Sequence, residues 1–277
     1  MDVFGFTANW HSHTFRCKHA AGDVADYCAE AAKAGIKVLG ISDHMPTRDG
    51  RWDRVRMDYA SMPSYIEAIE KARHEYPRLT LFKGLECEWC PEFGRGYYED
   101  ELKGKFGLDF IGAAPHSFKM DWGDEKWLNS FARGDWIDQK NWLVGYAKCV
   151  VDTVGTGLFN YLAHPDLIGC FCTKWTAEAE AASRAIAQAA RDAHMPIEIN
   201  TSGFRKPWVD DEDGTRRAQY PWKPFWQIAA EEGATAIIGT DAHSPELIGA
   251  TVDRALDLVR DTGVKVIVPQ SVAEMRV

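Results

Sequence analysis

The chain has 277 residues, 45% of them hydrophobic, which is ample for one α/β barrel or two small domains. Its 32 basic residues face 41 acidic ones, and the net charge of −9 argues against general nucleic-acid binding. The same charge repels a phosphorylated substrate unless metal ions reverse the sign locally.

No run of about 18 apolar residues occurs, so no membrane span is expected. Met1-Asp2-Val3 opens without a basic stretch ahead of an apolar one, so no signal peptide is expected. The seven cysteines are odd in number and scattered, which suits a reducing cytoplasm better than a disulfide framework. Cys87 with Cys90, and Cys170 with Cys172, are read as half-buried free thiols rather than as zinc or redox pairs. No linker, repeat or low-complexity tract divides the chain, and residues 1–277 are expected to form one domain.

A rhythm recurs along the chain: a short apolar run, a polar residue at its end, a loop, then a helical pattern. That alternation marks a parallel α/β sheet or barrel. The first run, Val3 to Ala8, leads to Trp10-His11-Ser12-His13. Asp23 can cap a helix over Val24 to Ala34, which Gly35 stops. Lys37 to Ile41 ends at Ser42-Asp43-His44. A loop bearing Arg48, Arg51, Arg54 and Arg56 follows; Asp49, Asp53 and Asp58 alternate with them, so a self-paired surface loop is expected. Ser61 precedes an amphipathic helix reaching about Tyr76, with Pro77 beyond.

Leu79 to Leu85 ends at Glu86, and a Gly-, Tyr- and acid-rich irregular loop separates it from Phe110 to Ala114, which ends at Pro115-His116. A long connection with Trp122, Trp127 and Trp136 leads to a helix over about Gln139 to Val154. Leu158 to Ala163 ends at His164-Pro165-Asp166. Thr176 can cap an alanine-rich helix that finishes at Met195-Pro196. Ile197 to Ile199 ends at Asn200, ahead of a loop with Arg205, Lys206, Arg216 and Arg217 and a helix from about Pro221 to Glu232. Thr235 to Ile238 ends at Gly239-Thr240-Asp241-Ala242-His243. A helix over about Pro245 to Thr262 follows, and Val264 to Val268 is a candidate terminal strand.

Seven strands thus each end in a polar or metal-capable residue, and a parallel barrel gathers all such ends on one rim. The rim candidates are His11, His13, His44, Glu86, His116, His164, Asp241 and His243. Of nine histidines, six fall at strand ends. His74 and His194 lie near helix C-termini, where a histidine suits the helix dipole. His19, in the first loop, is a possible further ligand. Imidazoles with two carboxylates suit zinc, iron or manganese better than magnesium or calcium. One catalytic ion needs about three protein ligands, so this set is expected to hold two or three ions, with Glu86 a natural bridge. Clustered ions of that kind generate hydroxide near neutral pH and clamp phosphoryl oxygens.

Taken together, His11-Ser12-His13, Ser42-Asp43-His44, Glu86, His116, His164 and Gly239-Thr240-Asp241-Ala242-His243 resemble the PHP (polymerase and histidinol phosphatase) family along the whole chain. The resemblance implies a distorted seven-stranded (β/α) barrel, TIM-like, with three divalent transition-metal ions. It implies that His11, His13, Glu86 and Asp241 hold one ion. Glu86 bridges to a second, held also by His116 and His164, and His19, His44 and His243 hold the third. Three stretches look like the histidinol-phosphate phosphatase branch: His13-Thr14 through Cys17-Lys18-His19-Ala20, Pro115-His116-Ser117-Phe118, and Asn200 through Pro207 with Tyr220-Pro221 after it. Hydrolysis of L-histidinol phosphate in histidine biosynthesis is the activity implied. Ala163-His164-Pro165-Asp166 is closer to other PHP phosphatases, and the loops are unusually rich in tryptophan.

The hypothesis for the reaction is in-line attack by a metal-bridging hydroxide at Glu86 and Asp241, with Arg205 and Lys206 on the phosphate oxygens. Arginine suits that task because its fork binds two oxygens at once. Asp43 is expected either to orient a ligand or to protonate the leaving alkoxide. The arginine loop and the tryptophan-bearing loop after His116 are the lid candidates. The rivals are a PHP phosphatase or phosphodiesterase acting on a nucleotide or sugar phosphate, and an amidohydrolase-type hydrolase. The latter also opens with His-x-His but usually places a lysine at a middle strand end, absent here. A non-catalytic metal-binding barrel is a third. The partner expected is a small phosphorylated substrate, without nucleic acid or membrane.

Overall fold

Short apolar runs bounded by caps and glycines leave the backbone one economical arrangement, parallel strands joined by covering helices. The computed structural model describes residues 5–119, 125–127 and 139–276. The strands are β1 (Ala8–Asn9), β2 (Val38–Ile41), β3 (Thr80–Cys87), β4 (Phe110–Ala113), β5 (Tyr161–Leu162), β6 (Ile197–Asn200), β7 (Thr235–Gly239) and β8 (Lys265–Val266). The covering helices are α1 (Val24–Ala34), α2 (Met62–Glu75), α3 (Gln139–Gly155), α4 (Ala177–Asp192), α5 (Lys223–Glu231) and α6 (Val252–Thr262). Their caps follow the local chemistry: Asp23 and Asp26 form a capping box on α1, and Thr176 accepts from the Ala179 amide on α4.

All neighbours in the sheet pair in parallel and in sequence order, from β1 to β8. The count corrects the seven strands expected. β8 pairs with the first half of β7, Thr235 opposite Lys265 and Ala236 opposite Val266. At the other end of β7 the sheet curls onto its start. Ser12 bridges Ala242 in parallel, the His13 amide donates to Ala242 O at 2.9 Å, and Thr240 N donates to Asn9 Oδ1 at 2.9 Å. β8 therefore wedges in at the base while the first and seventh strands meet at the rim.

Side chains alternate between the two faces of each strand. Leu39, Ile41, Leu85, Ile111 and Ile199 face the helices in the larger core. The inner face carries a smaller core around Trp10, Phe110 and Tyr161. Glycines opposite make room: a Cβ on Gly112 would stand 2.5 Å from Tyr161 Cζ, and one on Gly40 would stand 2.8 Å from Phe110 Cζ. This aromatic layer fills the barrel beneath the rim.

Two expected loops differ. The acid-rich stretch after Glu86 winds into a π-helical segment, Tyr97–Lys105, with Tyr97 and Tyr98 buried. The helix expected from Pro245 is broken; a short turn over Pro245–Leu247 precedes α6, which Thr251 enters at φ 59. Trp122 and Trp136 lie outside the described residues, and with them most of the tryptophan-bearing lid candidate.

Candidate metal centre

Inner-face alternation carries the site. Gly84 and Glu86 share the inner face of β3, so Glu86 emerges above the aromatic layer at the strand's end. His11 and His13 follow β1, His44 follows β2, His116 follows β4, His164 follows β5, and Asp241 and His243 follow β7. Glu86 stands at the middle. His164 Nε2 lies 2.7 Å and His44 Nδ1 2.6 Å from its oxygens, while His11, His13 and His116 Nε2 each stand 3.5 Å away. Asp241 Oδ1 lies 3.1 Å from His13, 3.3 Å from His243 and 3.6 Å from His11. His19 is drawn in from its loop, its ring 4.8 Å from His243 and 5.2 Å from His44. All nine side chains singled out as ligands therefore meet in one place.

The donor chemistry fits cations. His11 Nε2 and His13 Nε2 face each other at 3.0 Å, a contact that only one ring proton can satisfy. Glu86 is 1% exposed, and its Oε2, 2.6 Å from His44 Nδ1, has no well-directed hydrogen bond among the described residues. Donor atoms of His19, His44 and His243 fall within 4.8 Å of one another, as do those of His11, His13 and Asp241, of His11, Glu86 and His164, and of His13, His44 and Glu86.

Charge is redistributed accordingly. Burial alone would raise the Glu86 carboxyl, but His44, His11 and His116 outweigh it and hold it well below the usual range. Asp241 is held low in the same way by His11 and His243. Burial opposes a proton on His13, yet hydrogen bonds to Asp241 and Asp43 raise it to about 9. Burial and the charge of His243 lower His19 to about 4. Such a set can exchange protons for divalent ions, because ligation needs neutral imidazoles and ionised carboxylates.

At this rim the sequence matches the PHP domain over residues 9–202. The chain belongs to the PHP family. Its curated relatives include the "Probable histidinol-phosphatase" of Deinococcus radiodurans, 29% identical over 257 residues and covering 91% of this chain and 92% of that protein. The protein of the same name from Schizosaccharomyces pombe is 24% identical over 276 residues, covering 92% and 86%. Among solved structures, histidinol phosphate phosphatase from Lactococcus lactis, complexed with Zn, L-histidinol and phosphate, superposes with a TM-score of 0.69. It is 17% identical over 95% of each chain, a likeness of fold.

Other residues singled out in this PHP chain lie around the ligand cluster, and their partners are specific. Asp43 is fully buried; its Oδ2 accepts from Thr14 N at 3.1 Å and Thr14 Oγ1 at 2.5 Å, and its Oδ1 accepts from the His44 amide. Arg205 is held by protein partners. Its Nη2 donates to Thr240 O at 2.8 Å, and its Nη1 to Thr201 Oγ1 at 3.1 Å. Lys206 is exposed, with its ammonium 5.9 Å from the Tyr220 ring centre. The arginine loop is only partly self-paired. Arg51 reaches Asp49 and Glu92, but Arg48 reaches Glu101, and Arg56 is 3% exposed against Glu88.

Sequence reasoning missed an outer ring of carboxylates. Glu88 lies 3.0 Å from His116 Nδ1, with Arg56 beside it. Glu198 lies 2.8 Å from His11 Nδ1. Asp166 accepts from Trp222 N at 2.6 Å and Trp226 Nε1 at 2.9 Å. For Glu198 a signal existed. It sits two residues before Asn200 inside an apolar strand, and period two aims it into the barrel.

Proposed function

We propose that this PHP chain is a metal-dependent phosphatase that hydrolyses L-histidinol phosphate to L-histidinol and inorganic phosphate. The observation that carries the reading is the convergence of seven imidazoles and Asp241 around Glu86 on one rim. The names of the curated relatives, and the zinc, L-histidinol and phosphate in the Lactococcus lactis neighbour, support the choice of ester. The proposal takes residues 1–277 as one domain working in the cytoplasm, where an odd count of seven cysteines suits a reducing medium.

In this reading His11, His13, Glu86 and Asp241 hold one divalent ion. Glu86, His116 and His164 hold a second, and His19, His44 and His243 a third. Zinc is the first choice, with iron or manganese as alternatives. Bound ions supply a hydroxide near neutral pH and clamp the phosphoryl oxygens. The protein's part is placement. Asp43 ties the turn after His13 to the turn at His44, because Thr14 and the His44 amide both donate to its carboxylate. That engagement favours positioning over proton donation to the leaving group. Arg205 holds the Thr240 carbonyl next to Asp241, which gives it a positioning role too. Lys206, exposed near Tyr220, is left as the proposed cation for the phosphate.

The test is a phosphate-release panel on the zinc-loaded chain. L-Histidinol phosphate is expected to exceed nucleotide monophosphates, sugar phosphates and generic aryl esters in kcat/KM by at least tenfold. Equal or better turnover of another ester class overturns the substrate assignment while keeping the phosphatase reading.

A further inference from the structure

Glu198 is fully buried on the inner face of β6 and is placed against two separate ligand strands. Its Oε1 lies 2.8 Å and its Oε2 3.0 Å from His11 Nδ1. Its Oε2 also accepts from the His164 amide at 3.1 Å and from Asn200 Nδ2 at 2.9 Å. That Asn200 nitrogen reaches on to Asp241 Oδ2 at 3.3 Å. The opposite nitrogen of His11, Nε2, faces the cluster, 3.0 Å from His13 Nε2 and 3.5 Å from Glu86 Oε1. Space for the carboxylate is kept by Gly239 on β7, where any Cβ would overlap Glu198 Oε1.

Two consequences follow from the chemistry of these atoms. A carboxylate at Nδ1 keeps the His11 proton there, which leaves the Nε2 lone pair directed at the cluster. The His164 backbone sits at φ 29, an unfavourable value for a residue with a Cβ, and needs its amide held. One side chain serves both. We infer that Glu198 is a positioning residue that fixes the tautomer of His11 and the backbone of His164. Two of the three ion positions thus depend on a single carboxylate outside the ligand set. The inference rests on the metal reading above. Glu88 differs, because it meets one ligand ring, His116, and is already paired with Arg56.

Isosteric replacement separates this role from packing. In Glu198→Gln the remaining oxygen stays where the His164 amide and Asn200 converge, and the new NH2 faces His11 Nδ1. The remaining amide oxygen, 3.0 Å from His11 Nδ1, is neutral and shares that nitrogen with the new NH2, so the Nδ1–H tautomer loses its carboxylate acceptor and the Nε2 lone pair is offered to the ion less often. Glu198→Ala removes both contacts.

The experiment measures zinc per chain by mass spectrometry and zinc affinity by competition with a chromophoric chelator, with circular dichroism reporting the fold. Glu198→Gln is expected to weaken one zinc by about 10- to 100-fold, the usual effect of removing such a partner. Glu198→Ala is expected to weaken two. A Glu198→Gln chain that binds every zinc as tightly as the wild type overturns the inference, even if Glu198→Ala is unfolded, because a packing role predicts that rescue. A wild-type chain that holds no zinc against the chelator overturns the metal reading itself, and this inference with it.

Discussion

Gly112→Ala tests whether the aromatic layer sets the height of the metal ligands. Gly112 lies opposite Glu86 in the register of β3 and β4 and opposite Tyr161 in that of β4 and β5. A Cβ there would stand 2.5 Å from Tyr161 Cζ and 2.7 Å from its Cε1 and hydroxyl. Ordinary Cβ contacts begin near 3.4 Å, so the ring must shift by roughly 1 Å, and little room is open to it. Tyr161 is fully buried, its ring 6.3 Å from Phe110 and 6.2 Å, edge-on, from His11. Overpacking of this kind costs about 1–3 kcal/mol. For a chain of this size that is a fall in Tm of roughly 2–12 °C. A displacement of about 1 Å passed on to His11 lowers kcat/KM by up to about 10²-fold. The assay pairs a thermal melt of the metal-free chain with steady-state kinetics of the loaded one. Tyr161→Leu is destabilising alone but should offset part of the Gly112→Ala loss, so the double variant loses less than the two singles together. Additive losses, or a Gly112→Ala chain within about 1 °C of wild type, would refute the reasoning.

Glu86→Gln keeps the shape of the central ligand and removes its charge. Loss of several kcal/mol of metal-based stabilisation is expected to lower kcat/KM about 10³-fold or more, at 1.36 kcal/mol per tenfold. Full activity in steady-state assays would end the reading centred on Glu86. Asp166→Asn should change the pH dependence of stability. Burial pushes the Asp166 carboxyl up to about 6, over the opposing hydrogen bonds from Trp222 and Trp226. With a raised folded value, its favourable contribution is complete at the lowest pH and is lost as pH rises through 6. Relative to Asp166→Asn, the wild type is expected to lose about 3 kcal/mol between roughly pH 4 and just above pH 6. Urea unfolding of both metal-free chains across that window checks it, and a constant difference would show that Asp166 is not perturbed.

The convergence of the candidate ligands was legible because its signal is local. A polar residue that ends an apolar run is read directly, and parallel packing brings all such ends to one rim whatever the details. That is why His11, His13, His44, Glu86, His116, His164, Asp241 and His243 could be chosen before any distance was known, and why His19, in a loop, needed the family resemblance. The helix starts at Asp23 and Thr176 were legible for the same reason, since a cap acts within one turn.

What the chain could not declare is what each side chain meets across the barrel. Period two could have placed Glu198 on the inner face, but its contact with His11 depends on how far the sheet curls between β1 and β6. Arg205 was expected at phosphate from its motif; that the Thr240 carbonyl also lies within its reach is set by the fold. Arg56 was assigned to a surface loop by its acidic neighbours in sequence, whereas burial against Glu88 leaves it among the groups that orient His116. The eighth strand likewise follows from closure: among the described residues β1 and β7 join at the rim, and β8 pairs with the base of β7. Local chemistry determined which candidate ligands gather at the rim and where strands end. Only the curvature of the sheet decided which carboxylates stand behind them, because those contacts join residues up to 187 positions apart.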